Sequence, residues 1–274
     1  MTTTVPSAHA PTVQLQTTLS LHHRQASPKI TMATYPRHLV WAEDGPVDTT
    51  NEAYAFASCS DCAAVAVGFQ VVLIIGQADI IVDICTNDTV GLDSDGMHAN
   101  AVGDLVATVD TVATAGDNAD GLFLRGENVT AICGDVTTTG DNSIGVEATA
   151  TAALDLTCAT VATTGEASDG VVLAGTDVTA DLGTITTDGI GSDALVAMAD
   201  ANLDVTVDSV TTLADNSNGI IVTSDNTVLV CGDVTTEGAN SIGVDATGTA
   251  TLDVTCAEVT TTGADSDAVL LTGG

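Results

Sequence analysis

From Leu154 to Cys158 the chain alternates apolar and polar residues, Leu-Asp-Leu-Thr-Cys. A period of two is the pattern of a strand with one buried face. The pattern belongs to a larger unit. Val112, Val136, Val161, Ile185, Val210, Val234 and Val259 form one column, spaced alternately by 24 and 25 residues. Nine residues on runs Gly121, Gly145, Gly170, Ala194, Gly219, Gly243 and Ala268, followed by an aliphatic column of Leu122, Val146, Val171, Leu195, Ile220, Val244 and Val269. Two residues further the side chains are again apolar, from Leu124 and Ala148 to Leu271. The residue between is mixed, with Phe123, Glu147, Val172 and Asp245 among its members, as an outward position can be. No stretch repeats at helical spacing. Each unit predicts three short strands separated by Gly, Asn, Asp and Ser turns. A unit this small buries its apolar face only against neighbours. The expected fold is all-β, a parallel β-helix of about seven to eight coils. With strands about 4.8 Å apart, eight coils make a rod on the order of 38 Å long.

CGDVTTTGDNSIGV, from Cys133 to Val146, returns almost unchanged 98 residues later as CGDVTTEGANSIGV. That offset is four coils, so a four-coil block is read as duplicated. Aromatic residues are only 2% of the 274, which suits thin aliphatic layers better than a large irregular core.

Charge narrows the function. Residues 83–274 hold 31 of the 37 acids against Arg125 alone, a net of −30. Residues 1–82 hold six acids against Arg24, Lys29 and Arg37. Such a field repels nucleic acid and anionic membrane. Neither is expected as a partner. Ala63–Ile75 is apolar, but too short and too β-branched for a spanning helix, and reads as buried strands.

The repeated columns supply the candidate chemistry. Thr114, Thr138, Thr163, Thr187, Thr212, Thr236 and Thr261 are Thr in every copy. They read either as an outward hydroxyl array, for ice or carbohydrate, or as a structural ladder bonded near a corner; the ladder is the preferred reading. Asn118, Asn142, Asn216 and Asn240, followed by Ser143, Ser168, Ser192, Ser217, Ser241 and Ser266, read as stacked turns. Cys133, Cys158, Cys231 and Cys256 share a column with Leu182 and Val207, and so read as core thiols. Adjacent-coil pairs Cys133–Cys158 and Cys231–Cys256 are nonetheless near enough to cross-link on oxidation. Cys59-x-x-Cys62 lacks the partner ligands of a zinc site.

Asp93 and Asp95 in DSDG, Asp117 and Asp120 in DNADG, and Asp169 in EASDG resemble fragments of cation loops. Calcium at coil corners is therefore the one cofactor considered, although no stretch carries the full ligand run of a calcium loop. No catalytic residue is assigned. Polysaccharide-cleaving sites combine clustered acids with basic or aromatic contacts, and beyond residue 82 there are one Arg, one Phe and no Lys, Tyr or Trp.

Units such as VTTTGDNSIGVEATATAALDLTC resemble the passenger β-helices of bacterial autotransporters and related surface adhesins. The resemblance covers residues 86–274 and implies a surface or extracellular stalk. Its partners would be surface glycans or proteins of a host or neighbouring cell. NEAYAFASCSDCAAVAVGFQVVLIIGQADIIV, Asn51–Val82, is similar to a Cys-containing segment of actinobacterial secreted or membrane proteins. Three parts are expected: 1–50 disordered or foreign to the rod, 51–85 a strand-rich cap or first coil, and 86–274 the repeats. No secretory signal is read at Met1, and the sequence stops partway round a coil, which suggests a fragment or fusion with uncapped coils able to associate end to end. A degenerate polysaccharide-acting enzyme and a calcium- or ice-binding solenoid are the alternatives.

Overall fold

The computed structural model describes residues 80–91 and 93–274. The expectations for residues 1–50, for 51–79 and for Cys59 and Cys62 lie outside them. Among the described residues every regular element is a strand. In chain order they are β1 (Ile80–Val90), β2 (Met97–Asn100), β3 (Leu105–Ala115), β4 (Leu122–Gly126), β5 (Val129–Thr139) and β6 (Val146–Ala150). They continue as β7 (Ala153–Thr164), β8 (Val171–Asp188), β9 (Leu195–Thr212), β10 (Ile220–Thr236), β11 (Ile242–Thr261) and β12 (Asp267–Gly273). All pairing is parallel and advances one coil at a time, Leu105 to Val129, Val129 to Leu154, Leu154 to Val178. The object is a β-solenoid of about seven turns, as the spacing predicts.

One coil shows the plan. β4 forms the first face; a corner at 127–128 leads into β5, whose halves on either side of Gly134 form the second and third faces. In β8 to β11 the strands run through the first corner, marked in several pairings by register shifts near Gly175, Thr223 and Ser224. Alternation is kept on all three faces. In β5 Val129, Ala131, Cys133, Val136 and Thr138 are buried while Thr130, Ile132, Asp135, Thr137 and Thr139 are exposed. The Val112 and Leu122 columns are inward, between 0 and 1% exposed from coil to coil up to Val244. Each fully buried aliphatic side chain contributes about 1.5–3 kcal/mol, so stacking is the main source of stability.

The turn closing each coil is made by residues that tolerate left-handed backbone. Positive φ of 52–57° occurs at Asp93, Asn118, Asn142, Ala167, Asn216, Asn240 and Asp265, and Gly191 takes the same place in the remaining coil with φ of 71°. Two residues earlier, Gly140 has φ of 153°, and a Cβ there would lie 2.2 Å from the carbonyl oxygen of Gly116 in the preceding coil. Only glycine reconciles that backbone with that approach.

Two differences from expectation concern the interior. The sulfurs of Cys133 and Cys158 meet across adjacent coils as a disulfide, as do those of Cys231 and Cys256, with Cα separations of 4.5 and 4.3 Å. The reading as plain thiols fails because in-register stacking aims both side chains of a pair at the same point of the core. The second difference is Thr227, which takes the place held by Leu203 and Leu252 in the neighbouring coils. It is fully buried, lies 2.8 Å from the Ser224 hydroxyl, and donates to the Thr247 carbonyl at 2.8 Å.

Candidate functional site

The polar columns at the turn are bonded from coil to coil. Ser143 Oγ accepts the Ala119 N–H at 3.0 Å and donates to the Gly116 carbonyl at 3.0 Å. Ser168 Oγ accepts the Ser143 N–H in turn, and the chain of bonds continues through Ser192, Ser217, Ser241 and Ser266. Thr138 Oγ1 donates to the Ser143 carbonyl at 3.2 Å, and Thr114, Thr163, Thr187 and Thr212 do the same five residues on. These threonines are at most 3% exposed, so this column is the structural ladder and presents no hydroxyl array. Thr236 Oγ1 alone among them is buried without a partner.

The calcium candidates fall into three neighbouring columns of the same turn. Asp93 holds the left-handed position and its N–H donates to the Asp117 carbonyl. Asp117 Oδ1 accepts the Asp141 N–H at 3.1 Å, and Asp141 Oδ1 accepts that of Glu166 at 2.9 Å. Asp95 and Asp120 share the third column, where Asp95 Oδ1 accepts the Asp120 N–H at 3.1 Å and Asp120 Oδ1 accepts that of Ile144 at 2.7 Å. After the interruption at Ile144, Asp169 accepts from Asp193 and Asp193 from Asn218. Asp95 and Asp120 are thus brought together. Asp169 is separated from them, Asp117 points along its own column, and Asp93 sits in another at the left-handed position. Among the described residues no three His, Cys, Asp or Glu side chains converge as a metal-holding group.

This third column is electrostatically loaded. Burial raises the Asp120 carboxyl to about 6, against the lowering effect of the Ile144 N–H; the negative charges of Asp95 and Glu147 add to the rise and His98 opposes it. Burial likewise raises Asp169 to about 6, with Asp193 next to it, and raises Asp193. Their carboxylates are spent on backbone N–H groups of the next coil, so their first role is to hold coils in register.

The first face carries a cluster that the sequence reading did not assemble. The His98 ring stacks on Phe123 with centroids 4.4 Å apart, and the Arg125 guanidinium carbon lies 4.5 Å from the Phe123 centroid. Arg125 Nη2 donates to Glu147 Oε1 at 3.3 Å, and His98 Nδ1 lies 2.9 Å from Asp95 Oδ2. Three successive coils therefore contribute to one surface stack. The signal was present: the mixed outward column containing Phe123 and Glu147, extended one coil back to His98 and two residues along to Arg125, defines it. Just beyond Arg125 the corner between the first and second faces is hollowed into two shallow depressions of about 300 and 660 Å³. No family model, no curated protein and no solved structure matches the chain.

Proposed function

We propose that the chain is a non-catalytic rod of the cell surface or extracellular space, a stalk or adhesive element that presents long repeated faces to glycans or to proteins of a neighbouring cell. One observation carries the reading. The side chains that could do chemistry in the turns, the Ser hydroxyls, those of Thr114, Thr138, Thr163, Thr187 and Thr212, and the carboxylates of Asp95, Asp117, Asp120, Asp141, Asp169 and Asp193, are engaged in coil-to-coil or turn hydrogen bonds. What is left for recognition is the outward residues of three flat faces. The likeness of the repeats to autotransporter passengers supports the surface location. The net charge of −30 over residues 83–274 supports partners that are neutral or cationic.

The experiment is adhesion. Beads coated with the full chain are expected to adhere to glycan- or protein-coated surfaces and to cells, above beads coated with an unrelated protein of similar negative charge. A panel of polysaccharides incubated with the chain is expected to release no reducing ends. Polysaccharide cleavage, or adhesion no greater than that of the charge-matched control, overturns the proposal.

A further inference from the structure

We propose that the corner between the first and second faces is a groove for a neutral, linear glycan lying along the rod axis; the inference rests on the adhesive reading and names the ligand class. Asn100, Arg125, Thr149, Ala174, Met198 and Thr223 occupy one outward column, each paired with the next across adjacent coils. Five coil steps of about 4.8 Å make this column about 24 Å long, room for a short oligosaccharide. The two depressions adjoin at Thr149 and Thr151 and follow one another along it.

Behind the column the corner is lined by small inward residues, Ala101, Gly126, Ala150, Gly175 and Ala199, of which the three alanines are at most 9% exposed.

The lining suits a polyol. At one end Asn100, Arg125, Glu127 and the Thr149 and Thr151 hydroxyls mix hydrogen-bond donors with acceptors. Arg125 is held against Phe123 and Glu147, which fixes its guanidinium at the edge of the hollow. Further along, Ala174 and the 50% exposed Met198 form an apolar floor, flanked by Thr176, Asp200 and Thr223. A pyranose presents both surfaces this lining asks for, a C–H face for dispersion contact and hydroxyls that both donate and accept. Charge selects among glycans. Arg125 is outnumbered by Glu127 and Asp200 within the lining, and the surrounding rod is strongly negative. Polyanionic chains are repelled. Neutral ones are not.

The test titrates the full chain with neutral linear tetra- to hexasaccharides of glucose, mannose, xylose and N-acetylglucosamine, with oligogalacturonate as the anionic comparison. The expected result is saturable binding of at least one neutral series in the millimolar range or tighter and none of oligogalacturonate. Met198→Glu, which puts a charge on the apolar floor, and Arg125→Gln, which removes the fixed donor fork, should each weaken it at least tenfold. Thr157→Ala, on the exposed second face, should leave it unchanged. Melting curves matching the parent exclude unfolding as the cause, since Met198 and Arg125 are both surface residues. No neutral series binding, binding indifferent to both groove variants, or preference for the polyanion overturns the groove. If the chain still coats beads that adhere while no oligosaccharide binds, the groove fails and the adhesive reading stands. If neither occurs, both fail.

Discussion

Replacing Asp169 by Asn should stabilise the rod at neutral pH, against the usual direction of a substitution in a repeated structural column. Asp169 Oδ1 accepts the Asp193 N–H at 2.8 Å, and an Asn carbonyl can accept the same bond. The column already contains this solution. Asn218 Oδ1 accepts the Ile242 N–H at 2.7 Å, and its own amide donates to Asp193 Oδ1 at 3.0 Å. What the substitution removes is a carboxylate whose burial, with the neighbouring charge of Asp193, raises it from 3.8 to about 6. Taken at face value that shift is worth about 3 kcal/mol against the ionised folded form. The side chain keeps part of its surface in water, so screening reduces the figure to about 1 kcal/mol. The folded value lies above the unfolded one, so the proton favours the folded state. The favourable contribution is complete below 3.8 and is lost as pH rises through about 6. At pH 7.5 the parent has lost it and the Asn variant has no such loss. For a rod of this size 1 kcal/mol corresponds to about 2–4 °C in Tm. Thermal melts followed by circular dichroism should therefore place Asp169→Asn about 2–4 °C above the parent at pH 7.5. The advantage should shrink between pH 6 and 3.8 and vanish below. A variant that melts at or below the parent at pH 7.5, or a gain of equal size at pH 3.5, would refute the reasoning.

Thr138→Val strands the buried Ser143 carbonyl and should lower stability by about 1–3 kcal/mol in urea unfolding, rather than being neutral as it would be if the hydroxyls bonded only one another. Val146→Asp puts an unpaired charge in a fully buried column at a cost of several kcal/mol, and a parent-like melt would show that the column is not inward. Sodium chloride at moderate concentration should raise Tm by screening the stacked acids, since exposed charges interact over only about 8–10 Å at physiological ionic strength. Calcium at coil corners predicts a further rise over sodium chloride of matched ionic strength; equal effects of the two salts would leave screening as the whole explanation.

Much of this architecture was legible because one coil predicts the next. The constant spacing fixed which residues stack, and the alternation in Leu154–Cys158 fixed which of them turn inward. The same alternation carried the answer for the threonines. In Val136-Thr137-Thr138 the first residue is inward, so the third is as well, and the outward column is the one containing Thr137. Treating Thr138 as a free hydroxyl array required ignoring its neighbour. The sulfur pairing was harder to read, because Leu182 and Val207 in the same column describe the size of the site and say nothing about what two thiols do when stacked in register. The surface stack was harder still. His98, Phe123, Arg125 and Glu147 are scattered over 50 residues and meet only when three coils are superposed with a two-residue offset along one face.

The ladders also explain why the chain repeats itself over 98 residues. A coil bonds the next through a few fixed positions: a serine whose hydroxyl receives the N–H of the coil before it, and in most coils an Asp or Asn that receives the N–H of the coil after it. Any coil carrying these positions can follow any other. A duplicated block brings both halves of every new junction with it, and its aliphatic layers meet layers of the same shape. Where the pattern lapses, as at Ile144, the serine ladder and the backbone pairing continue across the same junction. The outward residues take no part in these bonds, which leaves them free to vary. Rod length and surface chemistry can therefore change independently.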